Sequence, residues 1–318
     1  MKTKFVYVLV SADGDYYFEM LCLSLYTLRR FHPQDTVVVV MDNDTYIRLQ
    51  KARASLLSSI SVMVIDIPSE YSVIQRSRYL KTSLRQNIDG PFLFIDTDTV
   101  ICSSLEAADC FSGTICVALE NVAFDSQVYR SPNDLNWKYL ITSKNYNSGV
   151  LFVNDTPEAY LFFDTWHQNW KHSVSFGYDY DQLAFRKAIL DTGIAVQELS
   201  PAWNCQVVQE VCLSYLSEAK ILHFQGSFNN SCELCNEATF LKIRLAGGIP
   251  ADLAKSLDQP LLSLQNRTLR LKQDEAFAIK PFVTLYQDYP RFFSFLSRLS
   301  KNYRFLVTSL YKWKHREQ

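Results

Sequence analysis

Glycine and proline are scarce in this sequence, at nine and ten of 318 residues. That excludes a low-complexity linker, and no internal repeat is visible. No apolar run approaches the roughly 20 residues that a membrane-spanning helix needs. Charge of one sign is not in excess either: the formal net charge is -1, so no global field points to nucleic acid as a partner. A G-x-G-x-x-G stretch is missing, which sets aside a dinucleotide-binding dehydrogenase. The eight cysteines lie mostly in apolar segments and read as reduced core thiols rather than a disulfide framework. Only Cys232 and Cys235 form a C-x-x-C, and no second pair or suitably spaced histidines follow to complete a zinc site.

What is present is ordinary for a globular protein. Hydrophobic residues make up 48% and charged residues 20%, and the length suffices for one large core or for one core with a helical appendage. "KFVYVLV" (4–10), "TVVVVM" (36–41), "SVMVIDI" (61–67) and "PFLFI" (91–95) are short apolar runs rich in Val, Ile and Phe. Such runs suit strands covered on both faces. Helical patterns over about 16–31, 44–58 and 72–88 separate them. That alternation predicts an α/β fold with a mostly parallel sheet flanked by helices. The opening "MKTKFVYVLVSADGD" mimics a signal peptide, but its apolar part, Phe5 to Val10, is shorter than the usual core of about 7–15 residues. It reads as the first buried strand of a cytoplasmic protein.

Further strands are expected at 114–120, 148–154, 194–199 and 219–224, with helices over about 157–171 and 180–190. Beyond about 237 the pattern is helix and turn. The expected division is a catalytic domain over 1–245 and a helical C-terminal region over 246–318.

Four Asp-x-Asp triplets occur: Asp13/Asp15, Asp42/Asp44, Asp96/Asp98 and Asp179/Asp181. Ligands of open α/β sheets gather beyond the carboxyl ends of strands, where the first three all sit. Asp42 and Asp44 precede a helical run, so capping explains them. Asp96 and Asp98 instead interrupt a strand, because "VI" continues after Thr99. Alternation places residues i and i+2 of an extended segment on one side. Two carboxylates so placed repel each other and call for a cation, and oxygen ligands suit Mg²⁺ or Mn²⁺.

"DTDTV" (96–100) also fits the first motif of haloacid-dehalogenase-like phosphatases. That motif normally opens its fold, whereas here three strand-helix units precede it. The remaining motifs favour another resemblance. "FLFIDTDTVI" (92–101), "YNSGVLFVN" (146–154), "YDYDQLAF" (178–185) and "ILHFQG" (221–226) resemble, in order, the motifs of GT-A glycosyltransferases. They are most similar to the retaining family-eight type, which includes glycogenin and bacterial lipooligosaccharide galactosyltransferases. The resemblance spans about residues 4–228.

The resemblance implies a metal-dependent transferase of a hexose from a nucleotide-sugar donor, a UDP-sugar, to a saccharide or lipid-linked acceptor. A degenerate binding protein is the non-enzymatic alternative. Asp96, Asp98 and His223 would hold Mn²⁺ or Mg²⁺. "SADGDYY" (11–17) would receive the nucleotide, with Asp13 and Asp15 accepting hydrogen bonds and Tyr16 stacking on the base. Arg78 and Lys81, one helical face of "RSRYLKTSLRQ" (76–86) together with Arg85, would hold the diphosphate. Leu80 and Leu84 would pack on the sheet. Asn147 and Gly149 would meet the donor sugar, and Gly226 would approach the phosphates. Asp181 and Gln182 would face the sugar carbon under attack, with Asp179 left as an alternative register. "PAWNC" (201–205) would line the acceptor. One departure is that "GSFNN" follows His223-Phe224-Gln225, where the family carries a Lys-Pro-Trp segment.

The tail "YPRFFSFLSRLSKNYRFLVTSLYKWKHREQ" (289–318) interleaves Arg291, Arg298, Lys301, Arg304, Lys312, Lys314 and Arg316 with aromatic and leucine residues. That mixture suits a helix lying in the headgroup region of an anionic membrane. Peripheral attachment to the inner membrane face is the corresponding expectation.

Overall fold

The computed structural model describes residues 1–12, 14–52, 60–120, 144–207, 215, 218–225 and 234–258. Strands β1 (Lys4–Leu9), β2 (Val37–Asp42), β3 (Ser61–Ile65) and β4 (Phe92–Ile95) are the four apolar runs. They pair in parallel, Phe5 beside Val37 and Lys4 beside Phe92. Two more elements of the same sheet are β6 (Ile115–Leu119) and β7 (Tyr146–Val153), and between β4 and β6 in sequence lies β5 (Thr99–Ile101). With β8 (Val196–Leu199) at its edge, the seven-stranded sheet runs β3-β2-β1-β4-β7-β6-β8. Only β7 runs against its neighbours β4 and β6; β8 is again parallel to β6.

Both faces of this sheet are covered, which is why its strands lack polar alternation. On one face, Phe5, Tyr7, Leu9, Val39 and Leu93 pack on α1 (Tyr17–Phe31) through Leu21, Leu25 and Leu28. On the other, Val6, Val8, Phe92 and Phe94 meet α3 (Val73–Thr82) and α5 (Pro157–Ser175), which present Leu80, Phe162, Trp166 and Trp170. Emptying either tryptophan site by truncation to Ala costs about 3–5 kcal/mol. The second helix in sequence, α2 (Asn43–Ala52), follows β2 directly.

The expected single helix over 72–88 is two. Ser72 and Gln75 form a reciprocal capping box that starts α3. The helix breaks at Ser83, and α4 (Leu84–Asn87) follows. Thr156, with Pro157 at the first position, starts α5. The helix α6 (Gln182–Thr192) stops at Gly193, whose φ of 61° is left-handed. Past the sheet, α7 (Glu237–Ala246) and α8 (Ala251–Leu257) follow, so the expected boundary near 245 falls at the end of α7. Among the described residues no helix is long and apolar enough to cross a membrane. The strand expected over 114–120 is β6, and the basic-aromatic tail lies outside the described residues.

Candidate metal and donor site

β4 ends at Ile95, and the chain leaves the large sheet through Asp96-Thr97-Asp98. It then enters a three-stranded sheet, β5-β10-β9, built with β9 (Cys205–Gln206) and β10 (Ile221–His223). In that sheet β10 is antiparallel to β5, and His223 lies opposite Thr99. The backbone of Asp98 accepts from Phe224 N at 3.0 Å, and Thr99 Oγ1 donates to Asp96 O at 2.8 Å. Pairing thus carries His223, which follows Asp98 by 125 positions, to the two carboxylates.

Ligand atoms of Asp96, Asp98 and His223 all lie within 4.8 Å of one another. His223 Nε2 is 3.4 Å from Asp98 Oδ1 and 3.8 Å from Asp96 Oδ2. The other ring nitrogen, Nδ1, is 2.8 Å from Asn204 Oδ1. Asn204 donates its amide to Asn147 Oδ1 (2.9 Å) and Asn147 O (3.2 Å), which leaves its Oδ1 as the acceptor. The proton of a neutral His223 therefore sits on Nδ1, and the Nε2 lone pair faces the carboxylates, the arrangement of a ligating histidine. Burial would lower the pKa of His223, but Asp98 overrides it and raises the value. Burial raises that of Asp96 against the pull of Lys81. These oxygen and imidazole donors fit a divalent ion such as Mn²⁺ or Mg²⁺.

Gly149 makes the cradle tight. A Cβ there would stand 2.3 Å from His223 Cε1, 2.7 Å from Asp96 Oδ2 and 2.9 Å from Asn147 Oδ1. Its carbonyl accepts from Asp96 N at 2.8 Å, and Asn147 Oδ1 accepts its N–H at 3.0 Å. Asn147 and Gly149 are thus brought to the metal ligands.

A cavity of about 530 Å³ opens over this cluster at the carboxyl ends of β1 and β4. Arg78 and Lys81 of α3 form one wall. Lys81 Nζ lies between Asp96 Oδ2 (3.5 Å) and Asp181 Oδ2 (3.6 Å), and Arg78 Nε is 3.0 Å from Asp181 Oδ1. Burial works to raise the pKa of Asp181, but Lys81 and Arg78 hold it below the usual value. Gln182 also lines the cavity, its amide donating to Tyr146 O and its Oε1 accepting from Ser148 Oγ.

The structure separates the two acidic registers. Asp181 faces the cavity, whereas Asp179 does not line it. Asp179 accepts from Gln75 Nε2 at 2.8 Å, and its carbonyl accepts from Trp170 Nε1. Arg85 is also apart from Arg78 and Lys81. Seven helical residues advance about 10 Å, and the break at Ser83 turns the chain. Fully buried, Arg85 lies over Phe92 and donates to Gly90 O and Ile88 O. Leu80 and Leu84 are buried against the sheet.

The loop after β1 differs from its expected use. Asp15 Oδ1 accepts from Ser11 Oγ at 2.7 Å and from Tyr17 N at 3.3 Å, closing the turn. Tyr16 does not line the cavity; its hydroxyl donates to Glu237 Oε1, its ring lies 5.6 Å from Phe240, and Arg244 covers it at 4.6 Å. Tyr17 lines the cavity instead. Asp13 and Gly226 lie outside the described residues. Of "PAWNC", Trp203 and Asn204 are buried, and Asn204 supports His223 rather than lining the cavity. Asp42 accepts from Thr45 N and, with Asp44, pairs with Arg76.

Sequence reasoning missed Glu120 and Gln225, which also line the cavity. Glu120 directly follows β6, so the strand-exit rule could have found it. Burial raises its pKa against hydrogen bonds from Asn147 and Asn145. Gln225 has a left-handed φ of 52°, unusual for a residue with a side chain, and donates to Gln206 Oε1 at 2.7 Å. It stands inside the "ILHFQG" motif, but no role was drawn for it there.

No family model matches the chain, and no curated protein sequence matches it. Solved structures do. The bifunctional glycosyltransferase WbbM is similar at a TM-score of 0.54 with 13% identity, over 81% of this chain and 51% of that one. The glycosyltransferase GlyE of Streptococcus pneumoniae TIGR4 is similar at 0.50 with 14% identity, over 82% of this chain and 64% of that one. This chain therefore spans about half the length of the first and under two thirds of the second. At these identities the likeness is one of fold: a seven-stranded α/β sheet flanked by helices, the GT-A fold.

Proposed function

We propose that this protein is a metal-dependent glycosyltransferase that moves a hexose from a UDP-sugar to a saccharide or lipid-linked saccharide acceptor. The observation that carries the reading is the convergence of Asp96, Asp98 and His223 beside Arg78, Lys81 and Asp181 at one cavity. Carboxylates alone would repel a diphosphate; carboxylates arranged for a cation, with two further cations on the adjoining wall, recruit one.

Asp96, Asp98 and His223 would hold Mn²⁺ or Mg²⁺, which supplies Lewis-acid stabilisation of a diphosphate leaving group. Arg78 and Lys81 share in neutralising that group as it departs. Asp181, kept ionised by both cations, stabilises positive charge at the sugar carbon, and Gln182 positions the ring. Retention by same-face attack, with the departing phosphate taking the acceptor's proton, completes the reading. Asp13 and Gly226 belong to the nucleotide side of the site in this proposal, and 289–318 docks the enzyme on an anionic membrane where a lipid-linked acceptor would reside.

The test is a screen of nucleotide-sugars for Mn²⁺-dependent thermal stabilisation, followed by donor turnover with and without acceptor. Release of phosphate from sugar phosphates, with no stabilisation by any nucleotide-sugar, would refute the proposal. Membrane docking is checked by liposome co-sedimentation of the full chain against a chain ending near residue 284. Equal sedimentation, or indifference to anionic lipid and salt, would refute that part.

A further inference from the structure

Two adjacent tyrosines, Tyr16 and Tyr17, stand where the loop after β1 enters α1, and the surrounding contacts decide which one lines the cavity. The turn that carries them is fixed from inside by Asp15, which binds Ser11 Oγ and Tyr17 N. It is fixed from behind by Arg244. That guanidinium contacts both carboxylate oxygens of the buried Glu19 at 3.0 Å and the backbone carbonyl of Asp15. Tyr16 is held in the same outer contact. Tyr17, the first residue of α1, is left 38% exposed on the cavity wall with Arg78, Lys81, Asp96 and Asp98.

β1 and β4 are neighbours in the sheet, and the start of α1 lines the same cavity as the Asp96–Asp98 turn. The phenol of Tyr17 accordingly feels the charges of Asp15, Arg78 and Asp98. Burial and Asp15 raise its pKa while Arg78 opposes them. The group keeps its proton at neutral pH and is a neutral donor. Such a donor has a use here. Lys81 is shared between Asp96 and Asp181, and Arg78 Nε lies 3.0 Å from Asp181 Oδ1 as an ion pair. A diphosphate entering this cavity meets cations already engaged by carboxylates, and its remaining oxygens need donors that bring no further negative charge.

We propose that Tyr17 is a diphosphate ligand, its hydroxyl donating to a phosphate oxygen of the bound donor; this rests on the reading of the site as a nucleotide-sugar site. The ring supplies reach, and the locked turn means that little freedom is lost on binding.

The experiment compares the full-length protein with Tyr17→Phe by calorimetric titration in saturating Mn²⁺. Two probes are used, UDP and inorganic pyrophosphate. Loss of the hydroxyl should weaken both by about tenfold or more, as for a hydrogen bond to a charged group. Wild-type affinity of Tyr17→Phe for pyrophosphate would overturn the inference, and weakening of UDP alone would overturn it in favour of a base contact. Failure of the wild-type protein to bind either probe in Mn²⁺ would overturn the reading of the site, and this inference with it.

Discussion

Replacing Gly149 with Ala should disable the metal site while leaving the fold standing. The added methyl would meet His223 Cε1 at 2.3 Å, Asp96 Oδ2 at 2.7 Å and Asn147 Oδ1 at 2.9 Å. None of the three can move cheaply. His223 is 3% exposed and tied to Asn204, Asn147 bonds Asn204 and the Gly149 amide, and Asp96 follows directly on β4. Overpacking of this kind costs about 1–3 kcal/mol, a melting-temperature drop on the order of 5 °C for a chain of this size. The larger effect is on the ligands: relief of the contacts drives the imidazole and the Asp96 carboxylate apart. Disturbing such supporting geometry typically costs about 10–100-fold in metal affinity. Mn²⁺ titration by calorimetry reads that loss, and thermal denaturation reads the stability. Gly193→Ala is the contrast. Its φ of 61° makes any side chain strained, yet nothing lies within 4 Å, so it should cost about 1 kcal/mol and leave Mn²⁺ affinity unchanged. Wild-type Mn²⁺ affinity in Gly149→Ala would refute the argument.

Asp98→Ala should abolish Mn²⁺-dependent UDP binding, whereas Asp42→Ala loses the contacts to Arg76 and Thr45 and should show reduced stability with UDP binding intact; titration and melting curves separate the two. Asp181→Asn should lower turnover at least a hundredfold in a donor-consumption assay, while Asp179→Asn, away from the cavity, should change it by less than tenfold. Stability should fall as pH drops from about 6.5 towards 4, because burial lowers the pKa of His167 to about 4: the unfolded chain takes up a proton that the folded one refuses. The loss should reach no more than about 3 kcal/mol. In denaturant titrations across this range, His167→Gln should flatten the slope.

The fold was legible because its central strands are apolar throughout, which only a sheet covered on both faces requires. The reversed direction of β7 was not, since an antiparallel strand buried on both faces carries the same residues as a parallel one. Asp96 and Asp98 stood out by interrupting a strand that resumes at Thr99. His223 could be placed only through the order of the motifs, because strand pairing brings it to Asp98. The choice between Tyr16 and Tyr17 was closed to sequence reasoning: it is made by Arg244, Phe240 and Glu237, more than 200 positions later. Arg85 was misplaced for a local reason, since a seven-residue spacing holds one face only while the helix remains unbroken, and this one breaks at Ser83. The segment "PAWNC" was expected to line the acceptor, whereas its Asn204 is used inward, to set the tautomer of His223.

The passage of the chain from one sheet to the other has a mechanical consequence. Asp96 is anchored to the seven-stranded sheet through the Gly149 carbonyl, while His223 belongs to the three-stranded one and Asp98 is bonded to its edge through Phe224 N. An ion held by all three would act as a rivet across the seam. Metal binding would then add to the stability that the shared core of the two sheets, Val100, Ile101, Ile221 and Leu222 packed with Leu9 and Leu93, already supplies.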